Sequence, residues 1–388
     1  MDIYKNSQKF LVLKISGELI DGADFDSFAQ YIKELKNSGI PIILVYGGGG
    51  QITSKYKELT KKDRPKGKDG LNYTSKLLIR KGVNPAYKEL KKKLEDIFGI
   101  ENINAFDKGY ILGNQITQLG EVGTVKSFLK PFSKDKINIV PFVGMNESTG
   151  CTLNINADDV VNKIVTELKD KISNITFLTG TGGIKYKDKK IVPFLTMEKV
   201  EKILKGENTC ISVDGGMQKK LLSILDLLKK GVSKVTIASL EGLKEELEGF
   251  GSGTMIINLE KAKFGKLSNK GLFEMIYKKN VKSGYWKARN KKQKNEIFKN
   301  YTVLEIDGTV LGGYALSGYK DGKLLECIFS FKSGGGIGTK LGEEIKKEKK
   351  VYAYSKNGGF FEKLGFEMTP ELHPVTGSNL FVYEKKLG

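Results

Sequence analysis

The stretch KFLVLKISGELIDGADFDSFAQYIKELKNSGIPIILVYGGGG, residues 9–50, decides the fold class. KFLVLKIS (9–16) is an apolar run closed by a glycine turn, and it reads as a buried strand. FDSFAQYIKELKNSG (25–39) repeats its apolar residues at helical spacing and stops on glycine. PIILVYGGGG (41–50) is a second strand running into a glycine-rich turn. The alternation continues. INIVPFVG (137–144), NITFLTG (174–180) and SKVTIAS (233–239) read as further strands. NADDVVNKIVTELK (156–169) and MQKKLLSILDLLKKG (217–231) read as helices. Strands alternating with helices predict an α/β fold with a mainly parallel sheet. In such sheets the site lies at the C-terminal ends of the strands.

After residue 260 the texture changes. NKGLFEMIYKK (269–279) is helical, and a Lys-rich segment (287–299) follows. NYTVLEI, TVLGGYALSGY and KLLECIFSF then read as successive antiparallel strands, with short turns at Asp307-Gly308 and Asp321-Gly322. SGGGIGTKLGEEIKK is a glycine turn opening a helix, and KVYAYS precedes another helix around GGFFEKLGF. The break falls near Gly253 to Phe264, which predicts domains over 1–259 and 260–388.

Composition narrows the function. With 39% apolar and 28% charged residues in 388, the chain can bury a full core, which excludes wholesale disorder. No apolar run is long enough for a membrane span, and the start shows no signal-peptide pattern, so a cytoplasmic location without a membrane partner is expected. The net charge of +20 suggests nucleic acid until the basic residues are separated. Only Arg64, Arg80 and Arg289 are arginine, and the other 62 are lysines spread along the chain. Nucleic-acid readers lean on the arginine fork, so no nucleic-acid partner is expected. The positive field favours anionic small molecules instead. Cys151, Cys210 and Cys327 have no CxxC spacing, and the lone histidine, His373, sits beside Pro374. A zinc site, a disulfide framework and a histidine triad are therefore not expected, and no metal ligands are assigned.

Neither GxxxxGK[ST] nor a strand–GxGxxG–helix unit occurs. What remains is a set of glycine turns: Lys14-Ile-Ser-Gly17; Gly47, Gly48 and Gly49; Thr179, Gly180, Thr181 and Gly182; and Gly215-Gly216, opening a helix that carries Lys219 and Lys220. Each alone reads as a tight turn. Together, at one edge of a parallel sheet, they make a phosphate site, because bare N–H groups at glycine turns and helix N-termini cradle anionic oxygens. Two lysines would offset charge on a transferring phosphoryl group, and Asp158 at a helix start would orient them.

These motifs resemble the amino acid kinase family, and within it the N-acetylglutamate kinases. KISGEL, VYGGGGQI, LNINADDVV and VDGGMQKK match the family's KxGG, HGGG-type, N-x-N-A-D and GGMxxK motifs. The resemblance implies a three-layer sandwich, ATP with Mg2+ not held by an identifiable protein motif, and a transition state stabilised by Lys14 and Lys220 with Asp158 organising them. Asn154 and Asn156 would lie at the substrate and phosphate region. GGGIGTKLGEEI (334–345) resembles motif A of the GNAT acyltransferases, and Asn357 with GGFFEKLGF the second CoA-side motif. That implies an α+β acetyltransferase domain, with acetyl-CoA held by Ile328, Ser333, Gly334, Gly336, Gly338, Thr339 and Asn357. The combined resemblance implies a fused N-acetylglutamate synthase/kinase of arginine biosynthesis. Its small-molecule partners would be glutamate and N-acetylglutamate, with L-arginine as an effector and a homo-oligomer (dimer or tetramer) as the assembly.

Three positions depart from the pattern. Asn72 stands where the kinases carry an arginine for the substrate carboxylate. An asparagine cannot replace that bidentate charged partner. Cys327 stands where a central-strand lysine is common, and Tyr354 where an arginine is frequent. Glu326 is the candidate base for acetyl transfer, with an exposed strand carboxylate as the alternative reading. A kinase-like domain that only senses arginine is the alternative to a working kinase.

Overall fold

The computed structural model describes residues 8–61, 63, 73–207, 210–213, 215–247, 251, 253–331, 336–356, 358–374 and 376–385. Asn72, Ser333, Gly334 and Asn357 lie outside the described residues. The chain divides into two compact units, Met1–Asn258 and Leu259–Gly388.

The first unit begins β1 (Phe10–Ile15), β2 (Ile42–Tyr46), β3 (Ile103–Ala105), β4 (Ile111–Gln115), β5 (Val122–Phe128), β6 (Ile137–Val140), β7 (Val143–Asn146) and β8 (Thr152–Ile155). It continues with β9 (Ile172–Leu178), β10 (Lys185–Tyr186), β11 (Phe194–Thr196), β12 (Ile211–Ser212), β13 (Lys234–Ala238) and β14 (Thr254–Ile257). The main sheet has the order β11-β14-β13-β9-β1-β2-β6-β3. From β13 to β3 every neighbouring pair is parallel. β1 shows why the sheet has helices on both faces. Leu11, Leu13 and Ile15 join one core with Phe25, Phe28 and Ile32 of the helix Phe25–Asn37. Phe10 and Val12 join the other, with Val160, Val161 and Ile164 of the helix Ala157–Leu168. A strand with period-2 side chains that sends apolar residues to both faces has both faces covered. The three-layer α/β sandwich follows from that.

Sequence reading took 137–144 as one strand, and the structure corrects this. Pro141 cannot donate to a ladder, so the run breaks there. β6 stays in the main sheet, while β7 enters a small closed barrel of order β4-β5-β8-β7. The barrel mixes antiparallel pairs with the parallel pairs β4–β7 and β5–β8. No described helix is long and apolar enough to cross a membrane.

The second unit is a seven-stranded sheet built from β15 (Lys263–Lys266), β16 (Tyr301–Ile306), β17 (Thr309–Tyr319), β18 (Gly322–Ser330), β19 (Lys350–Ser355), β20 (Glu367–Leu372) and β21 (Asn379–Glu384). Its order is β15-β16-β17-β18-β19-β21-β20, and β18–β19 is its one parallel pair. The second hairpin turn is Lys320-Asp321 rather than Asp321-Gly322. The pair Tyr319↔Gly322 closes a two-residue loop, and Lys320 takes the positive φ of 46°. Trp286 is a packing residue among Tyr277, Tyr301 and Phe329.

Candidate active sites

Lys14 shares the parity of Phe10 and Val12, so it faces the layer containing the helices Ala157–Leu168 and Gly215–Lys229. Its ammonium lies 2.9 Å from Asp158 Oδ1. Asp158 is fixed from its own backbone, whose N–H donates to the side chain of the N-cap residue Asn156 at 3.1 Å. A carboxylate in the first turn also sits at the positive end of the helix dipole. Register then brings in the third group. Phe177 on β9 is the partner of Lys14, and Lys220 Nζ stands 5.1 Å from the centroid of the Phe177 ring. Lys14, Asp158 and Lys220, scattered in sequence, thus meet at one place, all three largely buried.

The electrostatics of this cluster are asymmetric. Burial pushes the Asp158 carboxyl up, but Lys14 and then Lys220 outweigh it and hold it below the ordinary aspartate range. Burial and then the charge of Lys14 lower Lys220 to about 8, against the opposing pull of Asp158. Asp159 is raised to about 6 by burial and then by Asp158. The arrangement is a buried carboxylate paired with one cation, beside a second cation that is near its own titration point.

The glycine turns flank this cluster. β1 lies between β2 and β9, with Ile15 opposite Tyr46 on one side and Leu178 on the other. The turns after these three strands are therefore neighbours. Gly17 opens the helix Gly17–Ile20, and the Gly47 N–H donates to the Ile15 carbonyl at 2.9 Å. A Cβ on Gly17 would fall 2.7 Å from the Gly47 carbonyl oxygen, and one on Gly48 would fall 2.2 Å from Phe142. Both are approaches only glycine permits. Gly49 opens the helix Gly49–Thr60. After β9 the Thr179 N–H donates to the Ala238 carbonyl, and the Thr179 and Thr181 hydroxyls are 3.1 Å apart. Gly180 is near Leu19 of the first turn, and Gly182 takes a φ of 70°. Gly215 and Gly216 form the exposed start of the helix carrying Lys220. The cradle fits the phosphates of a nucleotide: bare backbone, helix N-termini and two lysines. No cluster of metal-ligating side chains occurs among the described residues.

Asn154 and Asn156 do different jobs. Asn156 caps the helix of Asp158, whereas Asn154 belongs to the barrel and donates to the Thr74 hydroxyl at 3.1 Å. Thr74 is fully buried and bridges to Gly120, so the segment after residue 72 is tied to the barrel beside Asn154.

In the second unit β18 and β19 pair from Lys323↔Val351 to Leu325↔Ala353 and then stop pairing. Beyond that point β18 carries a bulge. Cys327 has a φ of 51°, and the register with β17 shifts between Gly313↔Phe329 and Ala315↔Glu326. The bulge is pinned by two donors, Tyr301 Oη to the Cys327 carbonyl at 2.8 Å and Trp286 Nε1 to the Ile328 carbonyl at 3.0 Å. Glu326 is not a loose strand carboxylate. Arg289 Nη2 donates to its Oε1 at 3.1 Å and Ser317 Oγ to its Oε2 at 2.9 Å. Arg289 Nη1 also reaches Cys327 Sγ at 3.3 Å. Burial pushes the Cys327 thiol up to about 11. Tyr354 donates to Glu371 at 2.9 Å and shares a 2.8 Å hydrogen bond with Tyr319. Gly336, at a φ of 75°, precedes the helix Ile337–Ile345, on which Gly338 faces the Phe360 ring and Thr339 is exposed. A parted parallel pair next to a glycine-led helix N-terminus suits an elongated anionic cofactor such as acetyl-CoA.

Arg289 and Ser317 are functional candidates that sequence reading missed. The signal for Arg289 was available: it is one of three arginines in a lysine-rich chain. Ser317 left no sequence signal, since only strand register brings it to Glu326.

Comparison with known proteins agrees with this layout. The amino acid kinase family profile matches residues 9–239. An acetylglutamate kinase of Pelagibacter ubique is 30% identical over 271 residues, covering 65% of this chain and 90% of that protein. One from Staphylococcus epidermidis is 30% identical over 253 residues, covering 60% and 95%. The structure of N-acetylglutamate synthase from Neisseria gonorrhoeae complexed with coenzyme A and L-arginine superposes with a TM-score of 0.67, covering 98% of this chain and 96% of that one at 17% identity. The same enzyme complexed with coenzyme A and N-acetyl-glutamate gives 0.60. At that identity the likeness concerns the fold, which spans both units. The chain belongs to the amino acid kinase family, and its likeness in fold to N-acetylglutamate synthase extends over both units.

Proposed function

We propose that the chain is a two-activity enzyme of arginine biosynthesis. The first unit would phosphorylate the side-chain carboxylate of N-acetylglutamate from Mg-ATP, and the second would acetylate the amino group of glutamate from acetyl-CoA. The observation that carries this reading is the meeting of Lys14, Asp158 and Lys220 at a sheet edge lined with glycine turns. Phosphoryl transfer needs little covalent help from the protein and much fixed positive charge. Lys14 and Lys220 supply the charge on two elements, and Asp158 holds Lys14 in place. The glycine turns after β1, β2 and β9 would seat the phosphates.

In the second unit, Cys327 argues against an acetyl-cysteine intermediate, because burial keeps its thiol protonated. Direct attack by the acceptor amine fits better. Glu326, held by Arg289 and Ser317, would take the amine's proton. Helix Ile337–Ile345 and the parted strands would hold the cofactor, which supplies the thioester to be cleaved. Asn72 favours a second reading, in which the first unit binds arginine and does no chemistry.

Two assays on one purified sample test the proposal. One supplies acetyl-CoA and L-glutamate and follows free CoA. The other supplies Mg-ATP and N-acetylglutamate and follows ADP. Activity in both is expected. CoA release without ADP release would leave the second reading standing, and silence in both would overturn the assignment.

A further inference from the structure

We propose that Lys220 is a site of self-acylation by acyl phosphates, the class of compound that carboxylate phosphorylation creates in this same site. The inference rests on the phosphoryl-transfer reading above. The two lysines are unequally placed. Lys14 is locked in an ion pair with Asp158 at 2.9 Å. Among the described residues Lys220 makes no ion pair within 4.0 Å. It lies buried on the Phe177 ring, facing Lys14 from β1 and Asp158 from the helix Ala157–Leu168. Desolvation and a neighbouring cation are the two ways an amine becomes a nucleophile at neutral pH. Both act here, in that order, and lower Lys220 to about 8. At pH 7 its free-amine fraction is then roughly 300-fold that of an ordinary lysine.

An acyl phosphate seated with its phosphate on the glycine turns would bring its carbonyl to this amine. The neutral Nζ attacks the carbonyl carbon and an amide C–N bond forms. The C–O bond to phosphate breaks, and phosphate leaves with the electron pair. The amine's proton passes to solvent. No oxidant or reductant is involved. The product is a neutral acyl-lysine, and the site loses one of its two cations. Bound nucleotide should protect, because polyphosphate next to Lys220 keeps it protonated and occupies the cradle.

The test uses the full chain with acetyl phosphate as the probe and no nucleotide, followed by peptide mass spectrometry. Acetylation of Lys220 at pH 7.5 should outpace the exposed Lys205 and Lys263 at least tenfold. It should level off above about pH 9, and a non-hydrolysable ATP analogue with Mg2+ should suppress it. Labelling of Lys220 no faster than Lys205, or no protection by nucleotide, overturns the proposal. This arm needs no turnover, so it stands apart from the kinase reading. A second arm supplies Mg-ATP and N-acetylglutamate. An N-acetylglutamyl mark on Lys220 is expected. ADP release without the mark overturns self-acylation, whereas no ADP release overturns the reading on which it rests.

Discussion

Replacing Lys220 with methionine should make the first unit more stable while abolishing phosphoryl transfer. The native state holds this ammonium in a buried place beside Lys14. The gap between about 8 and the ordinary 10.5 corresponds to about 3 kcal/mol against folding at pH 7. Methionine is of similar length and removes the charge. It forfeits the ammonium–ring contact with Phe177, worth about 0.5–1 kcal/mol, and regains part of it through sulfur. A net gain of about 2 kcal/mol is expected at pH 7. The sign of the pH dependence follows from the lowered pKa. Between about 8 and 10.5 the unfolded chain binds a proton that the folded one does not. Wild-type stability therefore rises with pH through that window, and the variant's advantage shrinks. Urea unfolding read by pulse proteolysis, scored on peptides from residues 9–239, isolates the first unit. A variant less stable than wild type at pH 7, or an advantage equal at pH 7 and pH 10, would refute the reasoning.

Three further substitutions test other parts of the two sites. Gly48→Ala should cost about 1–3 kcal/mol and raise the KM for ATP, since the added Cβ would fall 2.2 Å from Phe142; steady-state kinetics and thermal unfolding read both. Asn156→Ala should cost about 1 kcal/mol through the lost cap and lower kcat for phosphoryl transfer more than it alters ATP affinity, because the cap holds the turn carrying Asp158. Glu326→Gln should lower kcat for acetyl transfer by about 10² to 10⁴, with phosphoryl transfer unchanged. An unaltered kcat would remove Glu326 as the proton acceptor.

The sandwich was legible because β2 is apolar throughout and β1 at every position but Lys14, which leaves little choice but a covered parallel sheet. The barrel was not. Its strands are as short as four residues, and β7 is fused in sequence to β6, so Pro141 was the one local sign of a change of sheet. The site divided in the same way. The glycine turns signalled a phosphate site only as a set, and Lys14, Asp158 and Lys220 were named from that set and from the family motifs. What no motif conveys is that Lys14 is opposite Phe177 and that Lys220 covers that ring, since this depends on register between distant strands. Arg289 escaped for a related reason. It lies in the connection before the helix Lys291–Lys299, where no periodicity applies, and its meaning comes from contact with Glu326 and Cys327 across the fold.

The two units hold their cations in different ways. Arg289 meets Glu326 Oε1, Cys327 Sγ and the Lys287 carbonyl through one planar fork. Lys220 discharges at about 8. Mild base therefore acts as a dimmer on the cationic centre of the first unit. A chain whose basic residues are almost all lysines has one of its three arginines against the strand bulge.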